Sequence, residues 1–124
     1  IFKHKVYKFD VKGMKKKNRW DNNFQDDIAW VEGTNVRGEP GWVKGKADYI
    51  VFERNNYWLV VDRQELLNLV VNKLQEKGYE KGKGIYQVYQ RDGRQDKITM
   101  VPYEDIEKLT NIEKVNKDDT ETNI

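Results

Sequence analysis

Apolar and polar residues alternate from Lys5 to Lys12, with Tyr7, Phe9 and Val11 on one face and Lys8, Asp10 and Lys12 on the other. A period of two predicts a half-buried strand, with an apolar face opposite the charged one. Gly13 ends it, and Met14 to Asn23 reads as a basic, polar loop. Asp27 to Glu32 (DIAWVE) predicts a second strand, stopped by Gly33. Gly38, Pro40, Gly41 and Gly45 mark 34–45 as a loop that carries Trp42. Lys46 to Glu53 (KADYIVFE) predicts a third strand, whose apolar run suits a central, well-covered position. Asn55-Asn56 is a turn signal before a fourth strand, Tyr57 to Val61.

Helical periodicity comes next. Asp62 is an N-cap signal, with Glu65 three residues on as in a capping box. Leu66, Leu67, Leu69, Val70 and Leu74 recur at helical spacing to about Lys77, and Gly78 is the expected stop. Ile85 to Gln90 and Lys97 to Pro102 predict a hairpin around Asp92-Gly93. Tyr103 to Leu109 predicts a short helix with acids at its start. The fold class expected is α+β (mixed α/β). It has one mixed sheet of about five or six strands, one main helix and a short C-terminal helix. Residues 1–109 read as one domain and 110–124 as a polar, flexible tail.

Composition narrows the chemistry. At 124 residues one core is all the chain can build, and 15 aromatic residues supply much of it. There is no cysteine, which excludes a disulfide framework, a zinc–thiolate site and a thiol nucleophile. One histidine, His4, excludes a polyhistidine metal site. No run has the length of a membrane span and no signal peptide precedes the fold, so an intracellular, cytoplasmic setting is expected. The chain opens at Ile1, directly in strand-like sequence, and reads as a piece of something longer.

Net charge is +2, but its distribution is uneven. Residues 1–19 hold eight cations against the single acid Asp10, whereas Glu104 to Ile124 holds seven acids and three lysines. A basic end interleaved with Phe2, Tyr7, Phe9 and Trp20 suits a polyanion such as nucleic acid. The same lysines also suit a solvated edge strand guarded against aggregation.

Asp10-Val11-Lys12 is the only D/E-x-K triplet in the chain. Residues i and i+2 of a strand share a face, so the carboxylate and ammonium stand side by side. Such a pair can hold a divalent cation and orient a water, or it can be a plain exposed Asp–Lys pair. Glu32, at the end of the second strand, becomes a further catalytic candidate if the two strands are neighbours. Lys15, Lys16, Lys17, Arg19, Lys44 and Lys46 are candidate phosphate contacts, and Trp42 a candidate stacking platform for a base. Asp48 reads as structural, in a hydrogen bond or a charge pair with Lys46.

The residues FDVKG (Phe9 to Gly13), WVEGTNVRGEPGWVKGKADYIVFE (Trp30 to Glu53) and DRQELLNLV (Asp62 to Val70) resemble the PD-(D/E)XK nuclease superfamily, in the style of small phage- or virus-encoded members. The resemblance covers roughly residues 5–105. It implies a restriction-endonuclease-like core and a Mg²⁺-dependent phosphodiester hydrolase, with Mn²⁺ as a substitute, DNA as the partner and a setting during infection. It makes Asp10 a metal ligand, the Val11 carbonyl a further ligand and Lys12 the catalytic lysine. The family pattern also asks for an acid on or before the preceding strand, expected here upstream of Ile1. Two other functions fit the same residues. One is a non-catalytic nucleic-acid-binding module and the other a protein-interaction or inhibitor domain. A homo-oligomer is compatible with each. No membrane and no small-molecule cofactor are implied.

Overall fold

The computed structural model describes residues 5–16, 24–25 and 27–120. Among these, eight strands and two α-helices order as β1 (Phe9–Lys12), β2 (Lys15–Lys16), β3 (Phe24–Gln25), β4 (Ile28–Thr34), β5 (Tyr49–Glu53), β6 (Tyr57–Asp62), α1 (Arg63–Glu76), β7 (Lys97–Pro102), α2 (Tyr103–Ile106) and β8 (Ile112–Asn116). Two 3-10 turns join them, η1 (Trp42–Lys44) and η2 (Lys117–Thr120). The class is α+β, as expected, but the strands do not form one sheet. Four make a mixed sheet in the order β1-β5-β6-β8, and β4-β7 and β2-β3 are separate two-stranded pairs. No helix among the described residues is long and apolar enough to cross a membrane.

The central position foreseen for KADYIVFE holds. β5 pairs in parallel with β1 and antiparallel with β6. Ile50, Phe52, Leu59 and Val61 line one face of that sheet and are buried. They pack with Leu66 and Val70 of α1, Val31 of β4, Val101 of β7 and Ile106 of α2. We call this the inner face.

Helix α1 obeys local rules. The Asp62 carboxylate accepts the Glu65 amide at 2.9 Å, as the N-cap pattern predicts. The capping box is only half made, because Glu65 turns its carboxylate to the amides of Thr110 and Asn111 at 3.0 and 2.9 Å. At the other end Gly78 takes φ +65, and the amides of Tyr79 and Gly78 reach the carbonyls of Leu74 and Gln75. This is a Schellman closure, which favours glycine at that place.

Three expectations are corrected. First, Phe9 and Val11 are 55% and 58% exposed, so the apolar side of β1 is the one turned to solvent. Registry decides this. Asp10 lies opposite Ile50 and Lys12 opposite Phe52, on the inner face. Phe9 stacks on Tyr49 at 5.5 Å on the outer face. Second, residues 112–116 are not a tail but the edge strand β8 on β6. Its neighbours hold it by the Glu65 contacts and by an ion pair of 3.0 Å between Lys117 and Glu53. Third, the expected 85–102 hairpin narrows to one antiparallel bridge, Tyr89 to Ile98, because β7 spends its length on β4.

Candidate functional site

Asp10 and Lys12 come together as their spacing predicts. The Lys12 ammonium is 3.3 Å from Asp10 Oδ2, and the two side chains remain about one-third exposed, at 29% for Lys12 and 33% for Asp10. Asp10 Oδ1 has no hydrogen-bond or ion-pair partner among the described residues. The pair stands at the open edge of the inner face, since no strand pairs with the far side of β1 among the described residues.

Lys12 has a second neighbour. Its Nζ lies 4.7 Å from the centre of the Trp42 ring, a cation–π contact. The indole also meets Phe52 edge-on at 6.1 Å, and Phe52 meets Tyr103 in the same way at 5.6 Å. Trp42 therefore joins the pair to the core. Its indole already serves Lys12 and Phe52, whereas the sequence suggested a platform for a base.

Two devices place Trp42. Gly41 is buried, and a Cβ there would stand 2.7 Å from the Glu32 carbonyl carbon and 2.8 Å from Glu32 Cγ. Only glycine fits that approach. On the other side of η1, Arg63 spreads its guanidinium over the loop. Nε donates to the Ala47 carbonyl at 2.7 Å and Nη1 to the Val43 carbonyl at 2.9 Å. Sequence reasoning missed Arg63. An arginine just after an N-cap carries no signal that it will turn back to clamp a loop 16 to 20 residues upstream.

The remaining candidates disperse. Glu32 lies on β4, which pairs with β7 and not with β1, so the neighbouring strands that would have brought it to Asp10 are absent among the described residues. It reaches the Trp42 loop at Gly41. Among the described residues no group of three His, Cys, Asp or Glu side chains is placed to share a metal. Asp48 is structural, but its partner is the backbone of Lys8 and not Lys46. Its Oδ2 accepts the Lys8 amide at 2.8 Å, and the Lys8 carbonyl accepts the Asp48 and Tyr49 amides. These bonds set the β1–β5 register. Lys44 and Lys46 are exposed near η1. Lys15 and Lys16 form β2 against β3. Lys17, Arg19, Trp20 and His4 lie outside the described residues.

Glu53 is a further residue the sequence did not single out. It accepts the Lys117 ammonium at 3.0 Å and the Met14 amide at 3.3 Å, and these bonds hold its carboxyl below the usual value of 4.5. It thereby ties the end of β1 and the C-terminal turn to β5. No protein-family model, curated protein or solved structure matches this chain.

Proposed function

We propose that the chain is a metal-dependent nuclease that hydrolyses DNA phosphodiester bonds on a restriction-endonuclease-like core. One observation carries the reading. The only D-x-K triplet in the sequence turns its carboxylate and ammonium to the inner face of a mixed sheet, 3.3 Å apart and open to solvent at one edge. A surface Asp–Lys pair needs no such bracing, whereas this lysine rests on Trp42, which is itself wedged by Gly41 and clamped through Arg63.

The donor set fits Mg²⁺ at its minimum. That ion takes one or two carboxylates from protein and the rest from water and phosphate. Asp10, with one carboxylate oxygen unengaged among the described residues, would hold it together with the Val11 carbonyl. When bound, the ion supplies a more acidic water and offsets phosphate charge. Lys12 orients the attacking water and neutralises charge as it develops. Glu32 serves the site by backing the Trp42 loop at Gly41. Lys15, Lys16, Lys17, Arg19, Lys44 and Lys46 hold the DNA backbone.

The test is plasmid cleavage with Mg²⁺ or Mn²⁺. Lys12→Ala and Asp10→Asn are expected to lose about a hundredfold or more in rate with an unchanged circular dichroism spectrum. Full activity in Lys12→Ala overturns the proposal. The scarcity of carboxylates around Asp10 among the described residues favours one second reading, a nucleic-acid-binding module without catalysis. That reading predicts metal-independent DNA binding that weakens steeply with salt.

A further inference from the structure

α1 presents more apolar surface than the sheets cover. Leu67, Val71 and Leu74, at i, i+4 and i+7, form one stripe and remain only half-buried. They face Val31, Val43 and Ile98 across a cavity of about 780 Å³. That size falls among pockets that take small ligands, about 300–1,000 Å³. Neither Asp10 nor Lys12 lines it, so the cavity is separate from the Asp10–Lys12 pair and shares with the proposed DNA contacts Lys44 alone.

The rim has one sign of charge. Lys44, Lys81 and Lys97 line the cavity, and no Asp or Glu among the described residues does. All three lysines are exposed, and none is in an ion pair among the described residues. Lys44 folds back so that its Cε would meet a Cβ on Gly33 at 3.9 Å. A cleft with apolar walls and uncompensated cations concentrates anions at its mouth.

The walls decide what body the anion has. Most are branched aliphatic side chains, joined by Thr34, Tyr79 and Gln90. Tyr89 is already engaged by Lys83, at 4.9 Å from its ring centre, and by Trp30 at 6.3 Å. Thr99 is buried, with its hydroxyl out of reach of solvent and without a partner among the described residues. We propose that this cavity binds a small anionic amphiphile, an aliphatic chain bearing one carboxylate, with the chain along α1 and the head among Lys44, Lys81 and Lys97.

The experiment compares two probes with the same chain and opposite heads, dodecanoate and dodecyltrimethylammonium. Each is titrated calorimetrically below its micellar concentration, with methyl chemical shifts recorded in parallel. Dodecanoate is expected to saturate at one site, at least about tenfold tighter than the cation, and to shift the methyls of Val31, Leu67, Val71 and Ile98. Lys44→Glu/Lys81→Glu/Lys97→Glu is expected to reverse the preference for the head. The wild-type methyl map decides the matter even if that variant fails to fold. Equal binding of both probes, no saturable binding, or shifts confined to the Phe9–Tyr49 face would each overturn the proposal. So would tighter binding of a mononucleotide such as uridine monophosphate.

Discussion

The two faces of the four-stranded sheet are built from similar residues and meet different fates. The inner face carries Ile50, Phe52, Leu59 and Val61, sealed by α1 and by parts of β4, β7 and α2. The outer face carries Phe9, Val11, Tyr49 and Val115, three of them more than two-fifths exposed. The only charged residues of β1, Asp10 and Lys12, belong to the inner side. Polarity therefore does not assign the faces of an edge strand. Register does, and a slip of one residue would exchange every side chain between them. Here the Lys8–Asp48 backbone and side-chain bonds and the Phe9–Tyr49 stack set the register. The charged pair is carried inward with it.

The contrast can be broken by substitution. Leu59 has no exposed surface, so Leu59→Ala is expected to cost about 2–5 kcal/mol in urea unfolding. A loss below about 1 kcal/mol would mean that the inner face is not the core. Arg63→Ala strips two loop carbonyls of their donor and is expected to cost about 1–3 kcal/mol in the same measurement. If the clamp matters to the site, the ring-current shift of the Lys12 side-chain protons falls in that variant, while Arg63→Lys restores little of it. An unchanged shift in Arg63→Ala would separate the clamp from the site.

The pH dependence is smaller. The Glu53 carboxyl is held below its ordinary 4.5 mainly by the Lys117 hydrogen bond, so its contribution is present above that pH. It is lost as pH falls through the depressed folded value. Glu53→Gln should flatten stability against pH in the acid range and leave the neutral-pH slope alone. An unchanged acid limb would show that the outer-face clasp contributes nothing. Smallest of all is Val11→Thr, expected within about 0.5 kcal/mol of wild type. A cost like that of Leu59→Ala would show that the outer face is covered in solution.

What the sequence made legible was local. The α1 cap at Asp62 and the stop at Gly78 are decided within a few residues, and both stand as read. The pairing of Asp10 with Lys12 needs only a strand, and that also stands. What was not legible depends on partners distant in the chain. β8 is polar in sequence and becomes a strand because β6 offers it a free edge. Glu32 could face Asp10 only if their strands were neighbours, and β4 takes β7 as its partner. The roles of Gly41 and Arg63 exist only once the 34–45 loop has folded back onto β4 and α1.

β1 is four residues long and, among the described residues, pairs only with β5. Strands of that kind open at a fraction of the free energy that unfolds the whole chain. Asp10 and Lys12 therefore ride on a segment able to exchange its amides while β5 and β6 stay protected. Whatever engages those two side chains also latches the strand, and its affinity includes the work of keeping that strand closed.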